Sequence, residues 1–370
     1  MINRDRLVEL FTELVETDSP SLGERDVCDK LKEKLAALGI NSYEDDTAAK
    51  IGGNAGNLYA YVDGSIDLKP ILLSAHMDIV EPSKGKSAIL HGDGTITSDG
   101  TTVLGADDLS GIAVILEVLT VLKERDIPHR PIEVLFDVSE ETYCIGIQQF
   151  NFPILKSKEA YVLDLSGPVG TAAFQAPSIV SFRAEFHGWA AHAAFSPEAG
   201  IHAIKAAAKA VTLIRCGRIG DTTVNVGKIS GGSADNVVPE YCTITGEVRG
   251  FNDVTVRKQL AEIETRANEA AKDFGAEVYF TTETLCLAYR IDETEPVTER
   301  FLRVCADAAI ESSLVSTYGG SDNNHFFHHG IRGLVVASGM NNCHSCAEYT
   351  SISELEKAAR LVLALVLSNQ

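Results

Sequence analysis

Five segments of this chain carry side chains able to bind a cation or move a proton. Each sits where an apolar run stops or starts. The run 70–75 ends in His76-Met77-Asp78, and the run 131–136 continues through Asp137 into Ser139-Glu140-Glu141. The run 160–163 ends in Asp164, and the run 333–337 leads through Met340 and Asn341 to His344. Gly105-Ala106-Asp107-Asp108 precedes a helical pattern. A single Asp at a strand end is ordinarily a turn former, and Asp107-Asp108 alone reads as a helix N-cap pair. Five such ends together are hard to explain by capping. Open α/β sheets bind ligands outside the carboxyl ends of their strands. Carboxylates gathered there raise one another's pKa unless a cation compensates. Two imidazoles among several carboxylates suit zinc, with cobalt or manganese as alternatives. Pure oxygen ligation would point to calcium or magnesium instead. Adjacent glutamates permit a division of labour, one binding metal and the other accepting a proton from water.

The elements that must position these groups follow from the hydrophobic pattern. Helical spacing predicts helices over 3–16 and 23–38, with another from 109 to 125. The runs 57–62, 70–75, 131–136, 160–163 and 333–337 are nearly continuous hydrophobics, which suits strands covered on both faces. Strands alternate with helices, so the fold class is α/β, a mixed and mostly parallel sheet with helices on both faces. Between 177 and 287 the order becomes strand (178–186), helix (197–214), strand (222–229), strand (241–250), helix (253–274), strand (276–282). That is the split β-α-β-β-α-β arrangement of ferredoxin-like domains. The expected organisation is a catalytic metal-binding domain formed by 1–176 and 288–370, with an inserted α+β lid or dimerisation domain at 177–287. A helix over 353–367 closes the chain.

Composition narrows the class. There are 52 acidic residues against 32 lysines and arginines, a formal net charge of -20. Such a surface argues against nucleic acid and against anionic membranes as partners. No run approaches the roughly 20 apolar residues of a membrane span. Eight scattered cysteines behind an amphipathic N-terminal helix predict reduced thiols and a cytoplasmic protein. Cys343 and Cys346 form one CxxC, a weak zinc-knuckle signal without a second pair. His325, His328 and His329 read as a helix surface.

At these positions the sequence resembles the di-zinc exopeptidases and deacylases of the tripeptidase T, glutamate carboxypeptidase and aminoacylase group. Its similarity is greatest to the tripeptidase-T-like branch. The motifs are Ser74-Ala75-His76-Met77-Asp78, Leu104-Gly105-Ala106-Asp107-Asp108, Ser139-Glu140-Glu141, Tyr161-Val162-Leu163-Asp164, Gly319-Gly320-Ser321-Asp322, and His344 with Glu348-Tyr349. The inserted region adds Ala191-His192-Ala193, Gly231-Gly232-Ser233-Ala234-Asp235-Asn236 and Gly246-Glu247-Val248-Arg249.

The resemblance implies that His76 and Asp164 bind one metal, that Glu141 and His344 bind the other, and that Asp107 bridges them through a residue followed by a cis peptide. It implies Glu140 as general base, Asp78 as the orienter of His76 and His192 as an oxyanion donor. Arg249 and Asn236 would hold substrate, and a homodimer would form through the inserted domain. One departure is local: Thr142-Tyr143-Cys144-Ile145 separate Glu141 from Gly146, where the family has a small apolar residue and then glycine. The expected activity is hydrolysis of short peptides by an aminopeptidase of tripeptidase type. A carboxypeptidase or N-acyl amino acid deacylase is the alternative within the same chemistry, and an inactive metal- or peptide-binding module is the alternative outside it.

Overall fold

The computed structural model describes residues 1–369. They form two compact units. One comprises Met1–Gln175, Arg290–Thr317 and the residues from Ser321 onward; the other comprises Ala176–Tyr289 with Tyr318–Gly320.

The first unit is built on a large mixed sheet. In order across the sheet run Ser42–Glu44, Leu58–Val62, Ile132–Asp137, Ile71–His76, Glu159–Leu165, Arg332–Ala337 and Thr171–Ala176. The four strands from Ile132–Asp137 to Arg332–Ala337 are mutually parallel, and antiparallel strands flank them on both sides. Ile71–His76 and Ile132–Asp137 are buried at every position, so both of their faces are covered. This explains why their sequences run apolar without alternation. Parallel pairing also brings their carboxyl ends to one edge of the sheet. Register pairs His76 with Asp137.

The central helix, Ala106–Glu124, is buried along nearly its whole length, packed among Arg4–Val15, Ile352–Leu367 and the sheet. Its one buried interior charge, Glu117, is satisfied by Arg6 at 2.6 and 3.0 Å and by the Asn3 N–H at 2.8 Å. Asp107 and Asp108 at its start are non-helical, and the peptide between them is cis, as the resemblance implies.

The second unit holds a five-stranded antiparallel sheet in the order Gly217–Ile219, Thr222–Gly231, Tyr241–Gly250, Ser178–His187, Glu277–Cys286. Without the short first strand, this is the ferredoxin-like order expected from the sequence. Phe182, Ala184 and Phe186 alternate into a core shared with the helices Ala203–Leu213 and Asp253–Phe274. The longer helix begins where Asn252 accepts the Val254 N–H at 2.8 Å, and it ends at Gly275 in the left-handed region. The helix expected over 197–214 is shorter. Pro197–Ala199 is a 3-10 turn, Gly200 is extended, and Ile201 bridges to Trp189, so the helix starts only after His202. No helix among the described residues is long and apolar enough to cross a membrane.

Candidate active site

Neighbouring parallel strands deliver the first groups. His76 ends Ile71–His76, Asp164 lies near the end of Glu159–Leu165, and Ser139 to Glu141 follow Ile132–Asp137. Asp107 enters from the start of the central helix, and His344 from the loop after Arg332–Ala337. His76 Nε2 lies 3.1 Å from Asp107 Oδ1 and 3.9 Å from Asp164 Oδ1. His344 Nε2 lies 3.3 Å from Asp107 Oδ2 and 3.0 Å from Glu141 Oε1. The two oxygens of Asp107 therefore face different imidazoles. Five groups gather around this one carboxylate, and Glu141 also has an oxygen within 4.8 Å of ligand atoms of His76 and Asp107. Glu140 joins them, with a carboxylate oxygen within 4.8 Å of ligand atoms of His76 and Asp164.

The electrostatics are those of a pocket built for cations. Burial, reinforced by Asp107 and Glu140, pushes the Asp164 carboxyl well above the usual range. Burial with Glu141, Asp322 and Asp78 does the same to Glu140. Burial acts to lower the His76 pKa, but its contacts with Asp107 and Asp78 hold it well above the ordinary value. Asp107 and Glu141 raise His344 to about 10. Asp107 itself is pulled low, against its burial, by those two imidazoles. Without metal, protons on the imidazoles supply the positive charge that the acids demand. A donor set of two imidazoles and three carboxylates so arranged fits a pair of divalent transition metals. Burial first, then the charges of Asp107 and Glu348, push the Cys343 thiol up, so it stays protonated beside this cluster.

The expected link from Asp78 to His76 is present in altered form. The ring Nδ1 meets the Asp78 backbone carbonyl at 2.9 Å, while the nearer Asp78 carboxylate oxygen is 3.5 Å away. That carboxylate instead accepts the N–H groups of Glu140 and Glu141, at 2.9 and 3.2 Å, and the Ser21 hydroxyl at 2.6 Å. Asp78 thus sets the backbone of both glutamates. Asp78→Ala is expected to lower kcat or metal affinity by roughly 10–100-fold, with KM near the parent value. Steady-state kinetics and metal content check this, and parent values for both would leave the carboxylate without a role.

Some groups around the glutamates have contacts that the motifs did not assign. Ser139 is left-handed (φ 56°), and its N–H and hydroxyl both donate to Glu24, at 3.1 and 2.8 Å. Tyr143 and Cys144 are also left-handed, at φ 66° and 57°. The two left-handed residues turn the chain after the glutamates. The turn brings the Cys144 thiol to 3.2 Å from Glu140 Oε1. Asp137 and Asp322 are both fully buried, and burial with the neighbouring Asp322 charge pushes Asp137 well above the carboxylate range. A carboxylate in a single sequence reads as a surface group unless its partners are known.

The remaining expected residues lie in the second unit. His192 is exposed and pairs in register with Val237; its Nδ1 accepts the N–H groups of Ala194 and Phe195 at 3.2 and 3.3 Å. Asn236 is exposed in a turn whose carbonyl accepts the Ala193 N–H at 3.0 Å. Arg249 places its guanidinium on Glu247, at 2.7 and 3.2 Å, and on the Tyr318 carbonyl at 2.9 Å. The fork expected to grip a substrate carboxylate is engaged by Glu247 in this structure. His328 and His329 lie exposed at the end of a short helix; His329 stacks on Phe152 at 3.7 Å.

Comparison with known proteins places these features. Residues 176–275 match the M20 peptidase dimerisation domain, and residues 57–204 match peptidase family M28. An uncharacterized protein of Bacillus subtilis (strain 168), YqjE, is 35% identical over 99% of both chains. A tripeptidase from Staphylococcus aureus subsp. aureus Mu50 is 34% identical, with a TM-score of 0.93 over 99% of this chain and 98% of its own. This chain belongs to the M20 peptidases. Within that family it falls in the peptidase-T-like branch. Aminopeptidase PepT from Bacillus cereus ATCC 10987 is 35% identical, with a TM-score of 0.88 over 99% of this chain and 98% of its own. As an M20 member the chain is a metallopeptidase, a hydrolase of peptide bonds.

Proposed function

We propose that this M20 peptidase releases the N-terminal residue of short peptides, as an aminopeptidase of tripeptidase type working with two divalent metals. The tripeptidase and aminopeptidase similar to it, at 34% and 35% identity, support the substrate class. The observation that carries the mechanism is the Asp107 carboxylate with one imidazole on each oxygen.

In this reading His76 and Asp164 would hold one ion, Glu141 and His344 would hold the other, and Asp107 would serve both. Zinc suits the imidazole–carboxylate set, with cobalt or manganese as substitutes. Bound divalent ions supply Lewis acidity and make water a better acid. Glu140 sits beside the cluster and accepts the proton of the attacking water. It then returns that proton to the departing amine. Asp78 holds the peptide units of Glu140 and Glu141 so that the two carboxylates keep separate tasks. The family resemblance assigns His192 to the oxyanion and Asn236 and Arg249 to substrate, with Arg249 exchanging Glu247 for it.

The match to a dimerisation domain supports a homodimer through the second unit, which light scattering would read as twice the chain mass. Eight free cysteines suit a reducing cytoplasm.

A panel tests the substrate reading. Zinc- or cobalt-loaded protein is offered an unmodified tripeptide, an N-blocked dipeptide and N-acetyl amino acids, and the products are identified. Release of the free N-terminal residue from the tripeptide, with the blocked substrates intact, is the expected result. Release of a C-terminal residue from the blocked dipeptide would make it a carboxypeptidase. Preference for the N-acetyl amino acids would make it a deacylase.

A further inference from the structure

Two of the five expected ligands reach the cluster on loops far apart in the chain, and a single buried side chain ties those loops together. Glu348 is 1% exposed. Its Oε2 accepts the Gly105 N–H at 2.7 Å, and its Oε1 accepts the Asp107 N–H at 2.9 Å, across 241 positions of sequence for the second bond. Both amides lie at the start of the central helix, where backbone N–H groups have no acceptor inside the helix. When ionised, a buried carboxylate that receives two such amides forms charge-assisted bonds, stronger than neutral ones; in either form its two oxygens can accept both amides.

The loop that presents Glu348 is itself pinned. Asn341 and Tyr349 exchange N–H···O bonds at 2.9 and 3.0 Å, and the Glu348 N–H donates to the Ser345 carbonyl at 3.0 Å. The Thr350 hydroxyl donates to the Gly339 carbonyl at 3.0 Å. His344 lies inside this closed loop, in the left-handed region at φ 61°. On the opposite side, Gly105 is left-handed at φ 78°, and a Cβ there would meet Ile79 Cδ1 and Lys86 Cε at 3.1 Å each. Neither loop therefore has much freedom to adjust to the other.

We infer that Glu348 is a positioning residue that fixes the backbone of Asp107 against the His344 loop, so that the shared carboxylate and the second imidazole are set at one spacing before any metal arrives. The inference rests on the proposed reading of Asp107 and His344 as ligands. It makes the affinity of the metal centre depend on a residue that touches no metal. Glu348→Gln keeps the size but turns an amide NH2 toward one of the two backbone N–H groups; Glu348→Ala removes both acceptors.

Full-length parent, E348Q, E348A and D107N proteins are stripped of metal and titrated with zinc against a chromophoric chelator. Cobalt absorption spectra are taken at full occupancy, and unfolding of the metal-free proteins is followed. The expected result is a loss of roughly 10–100-fold in zinc affinity for E348Q, a larger loss for E348A, and an altered cobalt spectrum in both. Metal-free E348Q is expected to unfold cooperatively, and its kcat to return toward the parent value at saturating zinc. Parent zinc affinity and an unchanged cobalt spectrum in both Glu348 variants overturn the inference. If the variants do not fold, hydrogen exchange of the metal-free parent decides: slow exchange at the Gly105 and Asp107 amides supports the tie, and fast exchange overturns it. Parent-like zinc binding by D107N would instead sink the reading of Asp107 as a shared ligand, a different failure from that of the tie.

Discussion

Replacing Glu140 with alanine is expected to lower kcat by about 10²–10⁴-fold, the range that general acid–base groups contribute, while zinc content stays at the parent level. The expectation follows from position. Glu140 lies beside His76 and Asp164, yet its neighbour Glu141 is the residue 3.0 Å from His344. Its backbone N–H is held by Asp78 at 2.9 Å and its Oε1 receives the Cys144 thiol at 3.2 Å. A carboxylate so held has one oxygen committed to protein and the other available to a proton in transit. Glu140→Gln, which keeps the shape and cannot accept a proton, should be nearly as inactive as Glu140→Ala. Near-normal turnover in either variant, or loss of metal in parallel with turnover, would remove Glu140 from the role of base.

Stripping the metals should have the second large effect. Activity is expected to vanish and to return on adding zinc or cobalt. The unfolding temperature should fall by on the order of 10 °C, because a ligand at 100–1,000 times its Kd stabilises the folded state by about 3–4 kcal/mol. The pH dependence of the stripped protein is also specified. Asp107 and Glu141 raise the His344 pKa to about 10, above its ordinary 6.5. The folded state then holds that proton more tightly than the unfolded chain does. The stability it contributes is fully present below about pH 6.5 and is lost as pH rises through about 10. The raised carboxyl groups of Asp164 and Glu140 act in the same direction, since ionising them inside the empty-handed cluster is unfavourable. Metal must displace the imidazole protons, so binding near neutral pH should release protons and tighten as pH rises. Calorimetry in two buffers of different ionisation enthalpy measures the release. A stripped protein as heat-stable as the loaded one, or binding without proton release, would contradict this electrostatic account.

The strands, the central helix and the inserted unit were legible because burial on both faces, or on alternate positions, leaves a clear mark on residue order. The sequence pattern 70–75 differs from the strand Ile71–His76 only at its ends. A crevice of metal-binding groups was legible because strand ends in an α/β sheet converge by topology; the division of those groups into ligands, base and orienter rested on the family resemblance. What stayed hidden has a common cause. The Asp78 carboxylate turns to the peptide units of Glu140 and Glu141, Glu24 holds Ser139, and Glu348 holds Gly105 and Asp107. In each case an acid meets a backbone N–H, and every residue but proline offers one, so no pair of residue types marks the contact. The late start of the helix Ala203–Leu213 was hidden for a related reason. The sequence 197–202 is compatible with helix, and the bridge between Trp189 and Ile201 overrides it.

The pairing of Glu159–Leu165 with Arg332–Ala337 has a consequence for how the protein is made. A ribosome delivers the inserted unit before the last parallel strand, and domains fold as units while the chain emerges. The second unit can therefore be complete while the first still lacks a strand of its sheet. His344 and Glu348 lie beyond even that strand, so a chain that has emerged only as far as Arg332–Ala337 carries four of the five proposed ligands and none of the clasp between the two loops.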